Sequence, residues 1–194
     1  MNTDENYSKE KRTIDIVWAN IFGVIILLPI VLLFGLPYYF IWQPEITFSG
    51  LFDSFFEVME IFAWIFTLLL MGIVVHELIH GITWAVFAKR GFRSIRFGIL
   101  WKMLTPYCHC KEPLKVKHYI TGALMPALIL GVLPAMWGIA VGSSRFLFFG
   151  MFFTMAAAGD FLVVNLIRKE PKDAYVQDHP SEAGYFVYRK QETY

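Results

Sequence analysis

Long apolar segments alternate with polar ones along this chain, and four of the apolar segments are long enough to cross a lipid bilayer. A transmembrane helix needs about 20 predominantly apolar residues. The four segments cover residues 16–42, 61–88, 119–142 and 146–167. The first contains Pro29 and Pro37, so a kink is expected there. The pattern predicts an α-helical integral membrane protein with four transmembrane helices.

Composition agrees with this prediction and excludes several other classes of protein. Of the 194 residues, 57% are hydrophobic and 17% are charged, whereas soluble domains usually carry more charge. Two cysteines, Cys108 and Cys110, are too few for a disulfide framework. The apolar run behind the polar N-terminal residues is far longer than the core of a signal peptide, so no cleavable signal is expected. Nothing in the sequence indicates nucleic-acid binding.

The lysines and arginines between the spans indicate how the chain is oriented. The loop at residues 43–60 has none, and Arg145 stands alone between the third and fourth spans, whereas the loop at residues 89–118 has eight. Because basic loops remain in the cytoplasm, we expect this central loop, the N-terminal segment (1–13) and the tail (168–194) to be cytoplasmic. The basic loop is also suited to contact anionic lipid. We expect a multi-pass protein of a bacterial cell membrane.

The central loop has a strand-like pattern. Residues 94–99 alternate apolar and polar side chains, as a half-exposed strand does, and residues 107–110 are a candidate partner strand. We therefore expect a small cytoplasmic β-hairpin between helices two and three, lying against the membrane. The alternative is an irregular basic loop. In either case residues 1–194 are predicted to form a single membrane-embedded domain.

The second predicted span contains the motif His-Glu-x-x-His at residues 76–80. On a helix, positions i and i+4 share a face, so His76 and His80 can bind one metal ion. Glu77 lies at the edge of that face, where it can take a proton from the attacking water as a general base. Zinc suits this set because it accepts imidazole and carboxylate ligands in a tetrahedron and leaves one position open. Random placement of these residue types gives roughly 0.006 expected copies of the motif, so its occurrence is informative.

The position of the motif inside a span strengthens the interpretation as a functional site. An ionisable group near the bilayer centre costs at least about 2.5 kcal/mol on insertion scales, and such groups are functional by default. Three of them in one turn of helix therefore indicate a site that uses them. The alternative is a polar cluster that only forms hydrogen bonds between helices.

Asp160 is the other charged residue that lies well inside the four spans. At 1.5 Å per residue, His80 and Asp160 each lie about 12 Å from the cytoplasmic ends of their helices, so they reach similar depths. A carboxylate is a normal zinc ligand, which makes Asp160 the candidate third ligand. The small residues at 156–159 would let the helices approach closely. The alternative is that Asp160 only hydrogen-bonds to a ligating imidazole.

The remaining histidines and the two cysteines are weaker candidates. Cys108, His109 and Cys110 are metal-ligand types, but adjacent strand residues point to opposite faces, which argues against one ion binding all three. We interpret them as ordinary strand residues with reduced thiols. His118 is expected at the membrane interface, near the start of the third span. His179 is expected in a turn of the tail or near the cytoplasmic mouth of the site.

These residues together resemble the site-2 protease class of intramembrane metalloproteases and, more closely, the DUF3267 family of zincin peptidases. The segments that carry the resemblance are His76-Glu-Leu-Ile-His-Gly81, Cys110-Lys-Glu-Pro113, Gly122-Ala-Leu-Met-Pro126, Gly159-Asp160 and Lys172-Asp-Ala-Tyr-Val-Gln-Asp-His-Pro180. The resemblance covers most of the chain from the second span to the tail. Gly159-Asp160 departs from the site-2 protease pattern, which usually has Asp-Gly with Asn and Pro upstream.

The resemblance implies a zinc-dependent endopeptidase that cuts membrane-associated substrates near the cytoplasmic face. It implies His76, His80 and Asp160 as zinc ligands and Glu77 as the catalytic base. The expected partners are a membrane protein or peptide substrate and the lipid bilayer. Two other functions stay open: a non-catalytic zinc-binding membrane protein with a structural or signalling role, and a metal or proton transporter. The scarcity of polar residues in the first and third spans counts against transport.

Overall fold

The structure is a computed structural model that describes residues 7–44, 55–100, 105–171, 174–179 and 184–191. It is mostly helical and contains two small antiparallel sheets. The α-helices in chain order are α1 (Ile16–Ile25), α2 (Leu27–Ile30), α3 (Leu36–Trp42), α4 (Phe55–Phe87), α5 (Val116–Pro126), α6 (Leu133–Val141), α7 (Ser144–Ala156) and α8 (Ala158–Ile167). Most of the loop between the first two predicted spans lies outside the described residues, as do the first six residues of the predicted N-terminal segment.

Three helical runs are long and apolar enough to cross a membrane: Val17–Trp42, Val58–Phe87 and Val116–Val141. They coincide with the first three predicted spans, although the second and third begin a few residues earlier than expected. In place of one straight fourth helix, α7 and α8 are bent by 45° at Ala157. The described residues therefore hold three candidate membrane helices, or four if the bent pair crosses as one. Helices of this length and hydropathy are those of a membrane protein.

Short π-helical segments interrupt the first and third of these runs. The segments are Val31–Gly35, before α3, and Ala127–Val132, before α6. In both cases a proline, Pro37 or Pro134, is the second residue of the helix that follows. Proline has no N–H for the preceding turn, and its ring clashes with the carbonyl four residues earlier. An extra residue in that turn relieves the clash, which explains the π-helical turn before each of these prolines.

Gly72 and Gly122 let two other helices pack closely on α4. A Cβ on Gly72 of α4 would lie 2.1 Å from Cζ of Phe153 in α7. A Cβ on Gly122 of α5 would lie 2.0 Å from Nε1 of Trp84 in α4. Because glycine has no side chain, α7 and α5 can pack directly on α4 at these points.

The N-terminal segment and the tail contain strands that the hydrophobic pattern did not indicate. The strands in chain order are β1 (Tyr7–Thr13), β2 (Ile95–Leu100), β3 (Thr105–Cys110), β4 (Leu114–Lys115), β5 (Tyr175–Asp178) and β6 (Gly184–Lys190). One sheet, in the order β1-β6-β5-β4, joins the N-terminal segment, the end of the central loop and the tail. Its residues Val176, Tyr185 and Val187 are buried in one apolar cluster with Trp84 and Tyr119. The sheet therefore packs against α4 and α5.

The second sheet pairs β2 with β3, in the chain between α4 and α5. Strand β2 begins one residue later than the sequence pattern suggests, because Ser94 ends a 3₁₀ turn and its hydroxyl donates a hydrogen bond to Glu112. The Glu112 carboxylate also accepts hydrogen bonds from the Lys89 backbone N–H and from the guanidinium of Arg90. This carboxylate therefore fastens the base of the hairpin to the end of α4.

Candidate metal centre

The motif residues lie in the second half of α4, where the helix packs against the rest of the protein. His76 is 8% exposed and His80 is 4% exposed, while Glu77 is half-buried. The buried positions Gly72, His76, His80 and Trp84 recur at every fourth residue, so one face of α4 turns inward. Both imidazoles lie on this face.

Asp160, in the first turn of α8, meets the two histidines. Its Oδ2 lies 3.2 Å from Nε2 of His76, and its Oδ1 lies 3.4 Å from Nε2 of His80. The two Nε2 atoms are 3.2 Å apart. The fold thus brings together, on α4 and α8, the three residues that the sequence suggests as metal ligands.

The arrangement of these three side chains fits a metal ion. A tetrahedral zinc ion with bonds of about 2.0–2.1 Å needs its ligand atoms about 3.3 Å apart, close to the separations observed here. His80 donates its Nδ1 proton to the carbonyl oxygen of Gly122, 2.9 Å away, which leaves the lone pair of Nε2 for a metal. Among the residues that the structure describes, only His76, His80 and Asp160 form a group of His, Cys, Asp or Glu side chains with metal-ligand spacing.

The bend between α7 and α8 brings Asp160 to the histidines. The chain departs from α-helical geometry at Ala157, which is fully buried, and α8 begins at Ala158, beside Gly23 of α1. These small side chains permit the close contact that the sequence suggests. Gly159 does not contribute to it, since a Cβ there would have no described atom within 4 Å. The Asp160 side chain stays 24% exposed, so the centre is open on one side.

Glu77 lies between the candidate ligands and strand β3. The backbone N–H of Cys108 is directed at its carboxylate. The hairpin can approach α4 here because Gly81 has no side chain, and a Cβ there would lie 2.6 Å from Cζ of Phe97 in β2. Glu77 is therefore placed next to the histidines of its own helix and next to an amide of the hairpin.

Three further side chains support the centre, and the sequence pattern assigned them no role. The ring of Trp84 stacks on His80 with centroids 5.0 Å apart, and it stacks on Tyr119 at the same separation. The Tyr119 hydroxyl donates to the carboxylate of Asp178. The spacing of four residues between His80 and Trp84 is a local signal that could have indicated Trp84. Tyr119 and Asp178 have no such signal, because their contact depends on the position of β5 in the tail.

The cysteines and His109 of β3 form no second metal site within the described ranges. Cys110 is buried, and its thiol donates to the carbonyl oxygen of Glu112. Burial raises the pKa of Cys110 to about 11, and it raises the pKa of Cys108 as well. Both thiols are therefore protonated at neutral pH, and both cysteines lie on a strand, as the sequence pattern predicts.

The other two histidines lie in separate surroundings. His118 is near the start of α5 and stacks on Phe87, with ring centroids 4.2 Å apart. His179 follows β5, where its N–H donates to the carbonyl oxygen of Gly184 and its ring packs against Phe186. Neither histidine belongs to the three-residue group. His179 therefore lies in the connection between β5 and β6, as expected for a turn of the tail.

Comparison with protein families gives one match. The model of the family DUF3267, whose description is "Putative zincin peptidase", matches residues 68–175, which is more than half of the chain. The matched range includes His76, Glu77, His80 and Asp160. Comparison with curated proteins finds no match, and comparison with solved structures finds none. A zincin-type family implies zinc as the metal, and the chain belongs to the DUF3267 family of zincin-like peptidases.

Proposed function

We propose that this protein is a zinc-dependent endopeptidase that hydrolyses peptide bonds of membrane-associated substrates near the cytoplasmic face. The observation that supports this most directly is the convergence of His76, His80 and Asp160 beside Glu77, on a helix apolar enough to cross a membrane. The donor set and its spacing suit zinc. Glu77 is the one member of the cluster that a purely structural zinc site does not need.

The side chains would share the reaction as follows. His76, His80 and Asp160 would hold the zinc, which when bound would supply a Lewis acid able to acidify water and polarise a carbonyl group. Glu77 accepts a proton from the attacking water while the water oxygen bonds to the carbonyl carbon of the substrate. When the C–N bond breaks, Glu77 returns that proton to the leaving nitrogen. We expect water to reach the centre along the partly exposed side of Asp160.

The strand pairing supports four membrane crossings with both termini on one side. Strand β1 precedes the first span and pairs with β6, which follows the last helix, for example Lys9 opposite Tyr188. Strand β4, between the second and third spans, pairs with β5 in the same sheet. Paired strands must lie on the same side of a bilayer, so the chain crosses an even number of times. The bent pair of α7 and α8 is then the fourth crossing, and the basic residues assign this side to the cytoplasm.

A reporter fused after Tyr194 tests this topology. We expect a cytoplasmic reporter such as green fluorescent protein to fluoresce there, and alkaline phosphatase fused at the same place to be inactive. The control is a fusion within residues 45–54, in the loop between the first two spans, which should give the opposite pattern. An external signal after Tyr194 would contradict the proposed orientation.

The Glu77→Gln variant tests the enzymatic function. Glutamine keeps the size of the side chain but cannot take the proton, and general-base catalysis is commonly worth about 10²–10⁴-fold, so turnover should fall by that factor. Zinc content should stay at the wild-type value. Both are measured in the same purified samples, with zinc by mass spectrometry and cleavage on a panel of fluorescently tagged single-span membrane proteins.

The control for this experiment is His76→Ala, which should lose both zinc and cleavage. A structural or signalling zinc site would behave differently, because Glu77→Gln would then leave every cellular phenotype intact while His76→Ala abolished it. A Glu77→Gln protein that retains zinc and cleaves at the wild-type rate would refute the proposed mechanism.

A further inference from the structure

The tail strand β5 ends in a carboxylate that joins two separate elements near the centre. Oδ2 of Asp178 accepts a hydrogen bond of 2.8 Å from the backbone N–H of Cys110 in β3. Oδ1 accepts a hydrogen bond from the hydroxyl of Tyr119 in α5. Each carboxylate oxygen thus accepts one hydrogen bond, one from β3 and the other from α5. Burial raises the pKa of Asp178, and the two donors act in the opposite direction.

Through Tyr119 and a stack of aromatic rings, Asp178 is connected to the candidate metal ligand His80. Tyr119 is 4% exposed and is stacked on Trp84, whose Nε1 donates to the Tyr119 carbonyl oxygen at 3.1 Å. Trp84 in turn stacks on His80 with an interplanar angle of 14°. A ligating imidazole is oriented by what surrounds it, so the stack fixes the plane of His80. Asp178 therefore holds the outer end of this stack.

Through Cys110, Asp178 is connected to strand β3, which lies beside the candidate base Glu77. In the register of the hairpin, Cys110 lies opposite Ile95 and Cys108 lies opposite Phe97. Alternate N–H groups of a strand point to the same edge, so the amides of Cys108 and Cys110 leave β3 in the same direction, about 7 Å apart. One of these amides is bound by Asp178, and the other is directed at Glu77.

We propose that Asp178 is a positioning residue of the hydrolytic centre, which holds β3 so that its Cys108 amide faces Glu77. This inference rests on the proposed peptidase function. It assigns a role to the C-terminal tail at a position that lies beyond the residues matched by the family model. The tail then completes the centre, instead of serving only to cover the ends of the helices.

The two cysteines of the chain are built-in reporters of this role, since both lie on β3. In full-length zinc-loaded protein, iodoacetamide should alkylate Cys108 and Cys110 slowly. Asp178→Ala removes the anchor of the strand, and a lost hydrogen bond to a charged group corresponds to about tenfold or more in the opening equilibrium. Alkylation of both thiols should therefore be about tenfold faster or more, while zinc content in excess zinc stays unchanged because the three candidate ligands are intact.

Gln177→Ala is the matched control on the same strand. The Gln177 side chain donates to the Lys111 carbonyl oxygen, just after β3, and accepts from the Tyr188 hydroxyl, so it helps to dock the tail through bonds other than those of Asp178. Its loss should leave the alkylation rate at the wild-type value. If Asp178→Ala fails to fold, Asp178→Asn replaces it, because the amide keeps the shape and one of the two acceptor oxygens. That variant should give a smaller increase in alkylation.

Two results would overturn the proposal. One is wild-type protection of the thiols in a folded Asp178 variant, and the other is an equal increase in Gln177→Ala, which would mean general loosening of the tail. Neither measurement needs a substrate, so the outcome is separate from the Glu77→Gln test of the enzymatic function. With a tagged single-span protein that the wild type cleaves, Asp178→Ala should lower kcat about tenfold and leave KM unchanged, because the base is misplaced while substrate contacts remain.

Discussion

The two halves of α4 differ in their surroundings, although both are apolar enough for a membrane helix. In the first half, Phe62, Trp64 and Phe66 are each more than 60% exposed. In the second half, His80 and Trp84 are each 4% exposed. The first half of the helix therefore faces lipid, whereas the second half buries one face in protein and leaves Val74, Ile82 and Val86 of its other face exposed. Hydropathy along a span does not reveal which half contacts protein.

What distinguishes the second half is the presence of small and polar residues. Gly72 lets α7 approach, and Gly81 lets the hairpin approach. His76 and His80 then meet Asp160 on the inward face. In the first half the one uncharged polar side chain in the middle of the helix, Thr67, only donates to the carbonyl oxygen of its own helix four residues earlier. Within a span, glycines and polar groups therefore indicate the contacts between helices better than hydrophobicity does.

The largest expected difference between the halves concerns the metal. His76→Ala should lose most of the bound zinc, because two remaining protein ligands hold the ion poorly. Thr67→Ala truncates a polar side chain nine residues earlier in the same helix and should keep all of it. Zinc content after dialysis at low free zinc measures both. Loss of zinc from Thr67→Ala would contradict the division of α4 into two halves.

Asp160→Ala extends the same measurement to α8. If Asp160 ligates the ion, its loss should have the same effect as the loss of His76. If it only hydrogen-bonds to a ligating imidazole, its loss should lower the zinc affinity by about 10–100-fold. The distances of 3.2 and 3.4 Å to the two imidazoles lead us to expect the larger loss. Full retention of zinc by Asp160→Ala at low free zinc would remove Asp160 from the candidate ligands.

The part of the centre that lies on single helices could be predicted from the sequence. The spacing of His76 and His80 follows from helical periodicity alone. Asp160 could be paired with them because a membrane fixes depth, so two residues at equal distances from span ends predicted to lie on the same side of the membrane are brought together. In a soluble protein the same pairing would have needed a tertiary fold. The family match over residues 68–175 agrees with the suspected resemblance.

The part that depends on distant strands could not be predicted. Strand β1 is a charged segment without apolar alternation, and its partner β6 lies more than 170 residues away. Such a strand forms only when a preformed sheet offers an edge, so local propensity does not reveal it. Asp178 was missed for the same reason, since its contacts with β3 and α5 exist only after β5 has paired. The bend at Ala157 is likewise a tertiary effect, because no proline marks it.

A smaller effect is expected from packing in the second half of α4. Gly72→Ala would place a Cβ 2.1 Å from Cζ of Phe153, which is fully buried and has little room to move. Overpacking of this kind costs about 1–3 kcal/mol of stability. Gly23→Ala is the matched control, because its Cβ would make only an ordinary contact of 3.9 Å with Ala158. Unfolding in detergent measures both, and equal stability of the two variants would show that α4 and α7 are not tightly packed there.

The smallest effect is expected in the first half of α4. Phe66 is 64% exposed, so Phe66→Ala exchanges ring contacts with lipid for other lipid contacts and creates no cavity in the protein. Surface substitutions away from special features usually stay within about 0.5 kcal/mol, so stability and zinc content should match the wild type. The same unfolding and zinc measurements apply. A loss as large as that of Gly72→Ala would contradict the lipid-facing assignment, because it would mean that protein covers this half of α4 in the membrane. Both halves of α4 would then contact protein, and exposure to lipid would not distinguish them.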